Sequence, residues 1–467
     1  MKRLSVGEHG PSVLVAALSA AFGVSVLQFV GVISQVVAAD SVTGDSGTVA
    51  IFIALVAVVF VVIAVYVGAI VTANTFSTII AGRTRTIALL RLIGSSARTQ
   101  RRAVAREGLA VGFAGAAIGS LVGTGITAAT VGVGVGVGFL PDGVDYSLLS
   151  PVLVLPVVAV VLTTWAASWV GSRRVLVVSP MEATGAAHEQ SRAEASASKA
   201  RTATAVTLFV TGTAVLVVAV LLGLVTPLAV LIGIVGGLLS FTGLVIGAHL
   251  VMPVALRLVG RLFGASAPAR LAAENAVRYP ERSSRTTIGL VIGITLVTMF
   301  AVALQAYQNL INAARDANPE YYEGIDEAFT VTLVVFSILV GFSALIAAVG
   351  LVNNLSLSVL QRTRELGLLR ALGFTGRQVR GMITAESAQL TAASVLVGLV
   401  LGAAYGWAGA QSMLGSINGS PGFVVPGMPL PILVGVVVLA AVLTLVASVG
   451  PSRRATAVTP VAALALE

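Results

Sequence analysis

The chain has 467 residues, of which 57% are hydrophobic and only 10% charged, and its mean hydropathy is +1.00. A soluble globular protein carries far more charge on its surface, so this composition excludes that class and indicates a membrane protein. The absence of cysteine excludes disulfides and thiolate metal or redox sites. The net charge of +9 follows a membrane topology, described below, and therefore indicates no nucleic-acid partner.

Ten apolar stretches are long enough to cross a bilayer, which takes about 20 helical residues. In chain order they lie near residues 12–37, 49–73, 108–131, 150–170, 203–224, 228–252, 286–306, 328–352, 384–411 and 430–449. The first is too long for the apolar part of a cleavable signal peptide and is expected to span the membrane. The third runs into 131–138, where valine and glycine alternate, and this period of two predicts an extended segment at the interface.

The basic residues predict the orientation, because cytoplasmic loops retain lysine and arginine. With ten spans and a cytoplasmic N-terminus, Arg315 is the one residue among 28 lysines and arginines that falls in an outer loop. The outer loops instead hold acids: Asp40, Asp45, Asp142, Asp145, Asp316, Glu320, Glu323, Asp326 and Glu327. We therefore expect a multi-pass protein with both termini in the cytoplasm, and the alanine-, valine- and arginine-rich composition is typical of a bacterial plasma membrane protein from a GC-rich source.

Two cytoplasmic loops repeat each other. Residues 83–94 read RTRTIALLRLIG and residues 362–373 read RTRELGLLRALG. At the same offset Asn74 matches Asn353 and Glu107 matches Glu386, so an internal duplication explains the pattern better than loop charge alone. We predict two four-helix halves in parallel orientation with a two-helix hairpin between them. The predicted domains are a first half at 1–185, a cytoplasmic linker at 186–201, the central hairpin at 202–256 and a second half at 257–467.

Each repeated loop is expected to form a short, mostly apolar helix that ends in glycine. On a helical wheel the first loop has a wide apolar arc, and a narrow strip of Thr84, Ala88 and Arg91 opposite to it. Such a helix at the cytoplasmic face must bury its apolar arc. Two interpretations stay open from periodicity alone: it binds a soluble partner, or it packs on the protein's own helix ends.

The repeated loop resembles the cytoplasmic loop of FtsX-like, or MacB-type, ABC transporter permeases, which typically reads R-x-R-E-[IL]-[AG]-[LI]-L-[RK]-A-[LI]-G. The second copy fits almost residue for residue, whereas the first has Thr86 in place of the glutamate. The segments around Asn275 and Ser179–Pro180 are also similar to the family. The resemblance implies a coupling helix that seats in a groove of a separate ATPase. The residues that it implies for ATPase coupling are Arg83, Arg85, Leu90, Arg91, Gly94, Arg362, Arg364, Glu365, Leu369, Arg370 and Gly373.

No nucleotide-binding loop is present in the sequence. A P-loop needs a lysine after a glycine-rich turn, and the two lysines, Lys2 and Lys199, lie in no such context. We therefore expect that the chain is not an enzyme, that it binds no cofactor itself, and that ATP and Mg are held by two copies of a cytoplasmic ABC ATPase. Unlike macrolide exporters of the family, the chain has only short connections at 38–48 and 307–327, so no large extracellular domain is expected.

The predicted function is that of a permease that exports an amphipathic drug-like, peptide or lipid cargo. Charged residues are nearly absent from the predicted spans, which argues against a proton- or sodium-coupled secondary carrier. A membrane regulator that passes the ATPase state to a partner, without transport, is the alternative.

Overall fold

The computed structural model describes most of the chain. The described residues are 6–39, 93–138, 140–172, 199–261, 280–317, 368–417, 422–427 and 429–457, parts of 51–73, and residues 89, 90, 274 and 341. Regular structure in this part of the chain is entirely helical. The principal helices are α1 (Val6–Ala39), α2 (Ala97–Gly136), α3 (Val154–Gly171), α4 (Lys199–Leu222), α5 (Ala229–Ile246), α6 (Ala248–Gly260), α7 (Pro280–Ala317), α8 (Gly376–Leu414) and α9 (Leu430–Ala457).

The lengths and composition of the helices show that the chain is a polytopic membrane protein. Seven of the described helices are long and apolar enough to cross a bilayer, and they coincide with seven of the ten predicted spans. The predicted spans at 49–73 and 430–449 contain shorter apolar helices, Ala54–Val67 and Leu430–Val442. Apart from residue 341, the predicted span at 328–352 lies outside the described residues. The all-helical, multi-pass class predicted from composition is confirmed.

The valine–glycine segment is helical, so the prediction of an extended segment there is wrong. Helix α2 continues through it to Gly136 and is closed by a bond from the Val137 amide to the Val133 carbonyl at 3.0 Å. In a bilayer a backbone can satisfy its polar groups only within a helix or a closed barrel, and this requirement outweighs the weak helix propensity of valine and glycine. Gly134 is buried beneath the side chain of Leu140, where a Cβ would lie 2.9 Å from Cδ1.

The chain divides into two compact units, Met1–Ala186 with Leu304–Phe342, and Ala187–Ala303 with Ser343–Glu467. In the first unit, α1 lies in a groove of α2 that is lined by glycines. A methyl group at Gly119 would collide with the Ala17 carbonyl, and one at Gly123 would lie 2.7 Å from the Ala21 carbonyl. Small residues of this kind let membrane helices approach closely and gain dispersion contacts. Helix α3 packs on α2 along the same row of small residues, at Gly108 and Gly112, and also contacts α1.

In the second unit, α7 lies in the equivalent groove of α8. A Cβ at Gly398 would lie 2.6 Å from Cγ2 of Ile294, and one at Gly402 would lie 2.5 Å from Cβ of Thr298. Gly398 and Gly402 occupy the repeat positions of Gly119 and Gly123. The duplication that the loops predicted therefore extends to the glycine groove in which each half packs its first helix.

The central hairpin, α4 with α5, is closed by glycines and packs on the second half. Gly236 of α5 faces α4, where a Cβ would lie 2.6 Å from the Leu216 amide. Ser240 and Tyr405 of α8 share a hydrogen bond of 2.8 Å between their hydroxyl groups, and the ring of Phe241 meets the Tyr405 ring edge-on at 6.1 Å. The hairpin is thus fixed to α8 by both a polar and an aromatic contact. The exact domain boundaries given above stay predictions.

Candidate coupling segments

The structure describes part of each predicted coupling segment. The described coupling residues are Leu90, Gly94, Leu369, Arg370 and Gly373. The remaining predicted residues lie outside the described part of the chain: Arg83, Arg85, Arg91, Arg362, Arg364 and Glu365. The two segments belong to different units, so each is described by itself.

Both segments end in the same backbone turn. In the second, the Phe374 amide donates to the Leu369 carbonyl at 3.0 Å and the Gly373 amide donates to the Arg370 carbonyl at 3.1 Å. This bond pair is a Schellman motif, which places the glycine in the left-handed region, and Gly373 has φ +99°. In the first segment the Ser95 amide donates to the Leu90 carbonyl at 2.9 Å, and Gly94 has φ +96°. The glycine is required at both positions because left-handed backbone strains other residues.

Each turn leads directly into the N-cap of a long membrane helix. Ser96 caps α2 by accepting a hydrogen bond of 3.2 Å from the Thr99 amide. Thr375 caps α8 and forms a capping box with Gln378, whose side chain accepts a bond of 2.9 Å from the Thr375 amide. Each segment is thereby connected to a spanning helix through one hydrogen-bonded turn.

Each segment exposes two large apolar side chains one helical turn apart. Leu89 is 50% exposed and Ile93 81% exposed. At the matched positions of the second segment, Leu368 is 52% exposed and Leu372 72% exposed. Residues four apart lie on one face of a helix, so each pair forms a small apolar patch. We call these the first and the second exposed pair.

The neighbouring leucines are less exposed than the exposed pairs, and in the second segment this leucine packs inward. Leu90 and Leu369 are only partly exposed, and Leu369 packs with Phe374 on a buried cluster of Val379, Met382 and Ile383 in α8. In the second segment, therefore, one side of the apolar arc packs on the chain's own helix while Leu368 and Leu372 stay exposed, and the binding of a soluble partner stays a prediction. The residues selected for ATPase coupling include Leu90 and Leu369 but not the exposed pairs, although Leu89 and Ile93 belong to the predicted apolar arc. The i, i+4 spacing of two large apolar residues in each loop was the signal that could have found them.

An exposed arginine follows each exposed pair. Arg98 and Arg377 occupy matched, exposed positions in the first turns of α2 and α8, and neither first turn contains an acidic residue. The positive end of each helix dipole adds to this charge. Along the sequence, the first carboxylates after the turns are the matched Glu107 and Glu386. A partner that binds these segments is therefore expected to present an apolar groove with acidic rims.

In the first unit, the base of α2 is tied to the end of α3. Arg101 donates from Nε to the Ser172 hydroxyl at 3.3 Å and from Nη2 to the Trp169 carbonyl at 3.4 Å. Its guanidinium carbon lies 3.9 Å from the centroid of the Trp169 ring, a cation–π distance. The end of α3 is therefore held against the base of α2.

Comparison with known proteins agrees with this geometry. The model of the family described as FtsX-like permease C-terminal matches the chain twice, at residues 58–176 and 337–460, which together cover more than half of it. The chain belongs to the FtsX-like permease family. Both coupling segments lie inside the matched regions, so the two halves of this permease are two copies of one domain. This is an ABC transporter permease family whose members lack ATPase activity, in agreement with the expectation that the chain is not an enzyme.

Individual relatives are distant. The chain is 27% identical over 148 residues to the uncharacterized ABC transporter permease YknZ of Bacillus subtilis, a match that spans 32% of this chain and 35% of YknZ. It is 24% identical over 188 residues to the ABC transporter permease YtrF of the same organism, spanning 37% of this chain and 43% of YtrF. An uncharacterized ABC transporter permease of Methanocaldococcus jannaschii, MJ1507, is 35% identical over 79 residues, or 17% of this chain and 18% of MJ1507. Each match thus spans less than half of the relative's length.

Proposed function

We propose that this permease is the membrane subunit of an ATP-driven exporter whose energy comes from a separate ABC ATPase. The observation that carries the proposal is the pair of matched coupling segments. Each presents an exposed apolar pair that is followed by an exposed arginine, and each continues through a hydrogen-bonded turn into a spanning helix. Because the segments are two, the complex contains two ATPase subunits for one copy of this chain. ATP and Mg are bound by the partner.

The cargo is an amphipathic or hydrophobic molecule such as a drug-like compound, a peptide or a lipid. Among the described residues, the buried polar side chains are serine, threonine and glutamine, together with His249. Gln28 bridges α1 to Thr124 at 2.9 Å and to the Leu148 carbonyl at 3.1 Å, as a structural contact between helices would. An interior of this kind suits a weakly charged cargo better than coupled ion movement, which needs an ionisable site near the midplane.

The proposed location is the bacterial plasma membrane, with both termini in the cytoplasm. The chain has no natural cysteine, so single cysteines report topology cleanly. Cysteines at Ser46, Asp142 and Asn318 should react with a membrane-impermeant maleimide in intact cells. Cysteines at Ser95, Ser196 and Thr375 should react only after the membrane is permeabilised. Labelling at Thr375 from outside would contradict the proposed orientation.

The experiment that tests the function is purification of the tagged permease from its native membrane, followed by reconstitution with the co-purifying ATPase. We expect an ABC ATPase to co-purify, and ATP-dependent movement of a fluorescent amphipathic dye across vesicles. Replacing the second exposed pair by Leu368→Asp and Leu372→Asp should remove the ATPase subunit that binds the second segment, because it places charge in an apolar contact. The matched control is Leu368→Met with Leu372→Met, which keeps an apolar side chain of similar volume and should bind normally.

Other outcomes separate the competing functions. ATPase binding without cargo-stimulated hydrolysis or dye movement, in the presence of a second co-purifying membrane or envelope protein, would favour the non-transporting regulator. Dye movement that follows a proton or sodium gradient, with no ATPase bound, would favour a secondary carrier and overturn the proposal.

A further inference from the structure

The end of the hairpin opposite its turn at 223–228 carries several basic residues. Lys199 lies in the first turn of α4, and Arg257 and Arg261 lie at the end of α6. Lys199, Arg257 and Arg261 are exposed. No aspartate or glutamate occurs between residues 199 and 261, all of which the structure describes. Within the hairpin, therefore, no carboxylate neutralises these groups.

Helix α6 is amphipathic and leaves one apolar face uncovered. Its buried face consists of Ala248, His249, Met252, Pro253, Ala255, Leu256 and Val259, and the helix packs on α8. The opposite face exposes Leu250, Val251, Val254 and Leu258, of which Val254 is 53% exposed and Leu258 52%. Arg257 lies among these apolar residues. A short helix with an exposed apolar face and flanking arginines is typical of an element that lies in the membrane interface.

The hairpin geometry places α6 at that depth. Helix α5 has 18 residues, and at a rise of 1.5 Å per residue it is about 27 Å long, close to the thickness of the hydrocarbon core. The chain then breaks at Gly247, which has φ −84° and ψ 7° and whose Cβ would lie 3.3 Å from Cβ of Ala205 in α4. Lys199 lies six residues before Ala205, about 9 Å farther along α4 and thus at headgroup depth.

We propose that the α6 end of the hairpin is a binding site for anionic phospholipid. The guanidinium groups of Arg257 and Arg261 bind the headgroup phosphate, since guanidinium pairs with phosphate through two parallel hydrogen bonds. Val254 and Leu258 contact the upper acyl chains, and Lys199 adds to the attraction of the anionic surface. Free phosphate has no acyl chain to cover the apolar face, so the occupant is a lipid. The site depends on membrane insertion and not on the proposed transport.

Lipid selectivity is the first test. The purified permease is reconstituted without ATPase in vesicles that contain trace spin-labelled phosphatidylglycerol or phosphatidylcholine, and the protein-associated fraction of each is measured by electron paramagnetic resonance. Wild type should prefer phosphatidylglycerol. Arg257→Gln with Arg261→Gln should lower that preference by about fivefold for each arginine at low salt. The matched control, Arg102→Gln with Arg106→Gln, removes two exposed arginines from the base of α2 and should keep the preference. An equal fall in both double variants, or a wild type without preference, would overturn the site.

The depth of α6 is an independent test that leaves the arginines in place. A nitroxide at Val254→Cys should be more accessible to oxygen than to a water-soluble nickel complex, and shallower in the bilayer than a nitroxide at Val217→Cys, which lies twelve residues beyond Ala205 along α4. Thr99→Cys, at the exposed start of α2, gives the aqueous reference. Nickel accessibility at Val254 equal to that at Thr99 would place α6 in water and contradict the proposal.

Discussion

The two coupling segments share a backbone turn but differ in the side chains that fix it. In the second segment, Phe374 precedes the cap of α8 and packs together with Leu369 on the cluster that contains Val379. It thus supplies both the apolar contact of the Schellman motif and the hydrophobic staple of the next helix. In the first segment, Ser95 stands at the position of Phe374 and Gln100 at the position of Val379. The Ser95 hydroxyl accepts a hydrogen bond of 2.8 Å from the Gln100 side chain.

Both copies therefore keep the turn that connects the segment to its helix, but the side-chain contact that stabilises the turn differs in strength. A buried apolar staple excludes water, whereas a hydrogen bond between partly exposed side chains competes with water and has a small net value. We therefore expect the second segment to be the more rigid lever and the first to open more readily.

The largest effect is expected from removal of the staple. Phe374→Ser should lower the free energy of local opening of the second segment by about 2 kcal/mol, roughly half the cost of truncating a fully buried phenylalanine. Hydrogen exchange of the amides at 372–375, followed by mass spectrometry, measures this value. Ser95→Ala in the first segment is the matched change and should cost less than about 1 kcal/mol. Equal costs would remove the proposed difference in rigidity.

The left-handed glycines should respond equally, because the two turns have the same geometry. Gly94→Ala and Gly373→Ala should each reduce the stability of their turn by about 1–2 kcal/mol, the cost of left-handed backbone for a residue with a Cβ. Asparagine tolerates this region better, so Gly94→Asn and Gly373→Asn should cost less. The same exchange experiment reads both turns. A large loss at one glycine only would mean that the turns are not equivalent.

The two segments also differ by one acidic residue, which lies outside the described residues, so its effect stays a prediction. Glu365 stands in the second loop where Thr86 stands in the first, and a charge-assisted hydrogen bond to a partner exceeds a neutral one by about 1 kcal/mol. Glu365→Ala, or charge reversal at Arg370, should lower cargo-stimulated ATPase activity more than Thr86→Ala or reversal at Arg91. Steady-state ATPase rates and co-purification compare the four variants. Equal losses would mean that this substitution has no mechanistic role.

The helix caps should show the smallest difference. Thr375→Ala should destabilise the start of α8 by about 1 kcal/mol, since it breaks a reciprocal capping box. Ser96→Ala should destabilise the start of α2 by about 0.5 kcal/mol, at the low end for a cap without a reciprocal partner. Hydrogen exchange in the first turn of each helix measures both. A greater loss at Ser96 would contradict the order that the hydrogen bonds predict.

Much of this organisation could be predicted from the sequence, because membrane constraints are strong and local. The apolar runs predicted the spanning helices, and the repeated RTR…LLR…G pattern predicted both the duplication and the helix ends at Gly94 and Gly373. The alternation of valine and glycine at 131–138 led to a wrong prediction of extended structure. A period of two indicates a strand only where water or neighbouring strands can satisfy the polar groups of the backbone. The division of the apolar arc into an inward leucine and an exposed pair depends on packing against α8, which a single loop sequence does not contain.

The central prediction is that one copy of this chain supplies both coupling segments of the complex. Native mass spectrometry of the complex, purified with its ATPase and trapped with a non-hydrolysable ATP analogue, measures this directly. We predict one copy of this chain of 47.2 kDa with two ATPase subunits. A complex with two copies of this chain around one pair of ATPase subunits would contradict it.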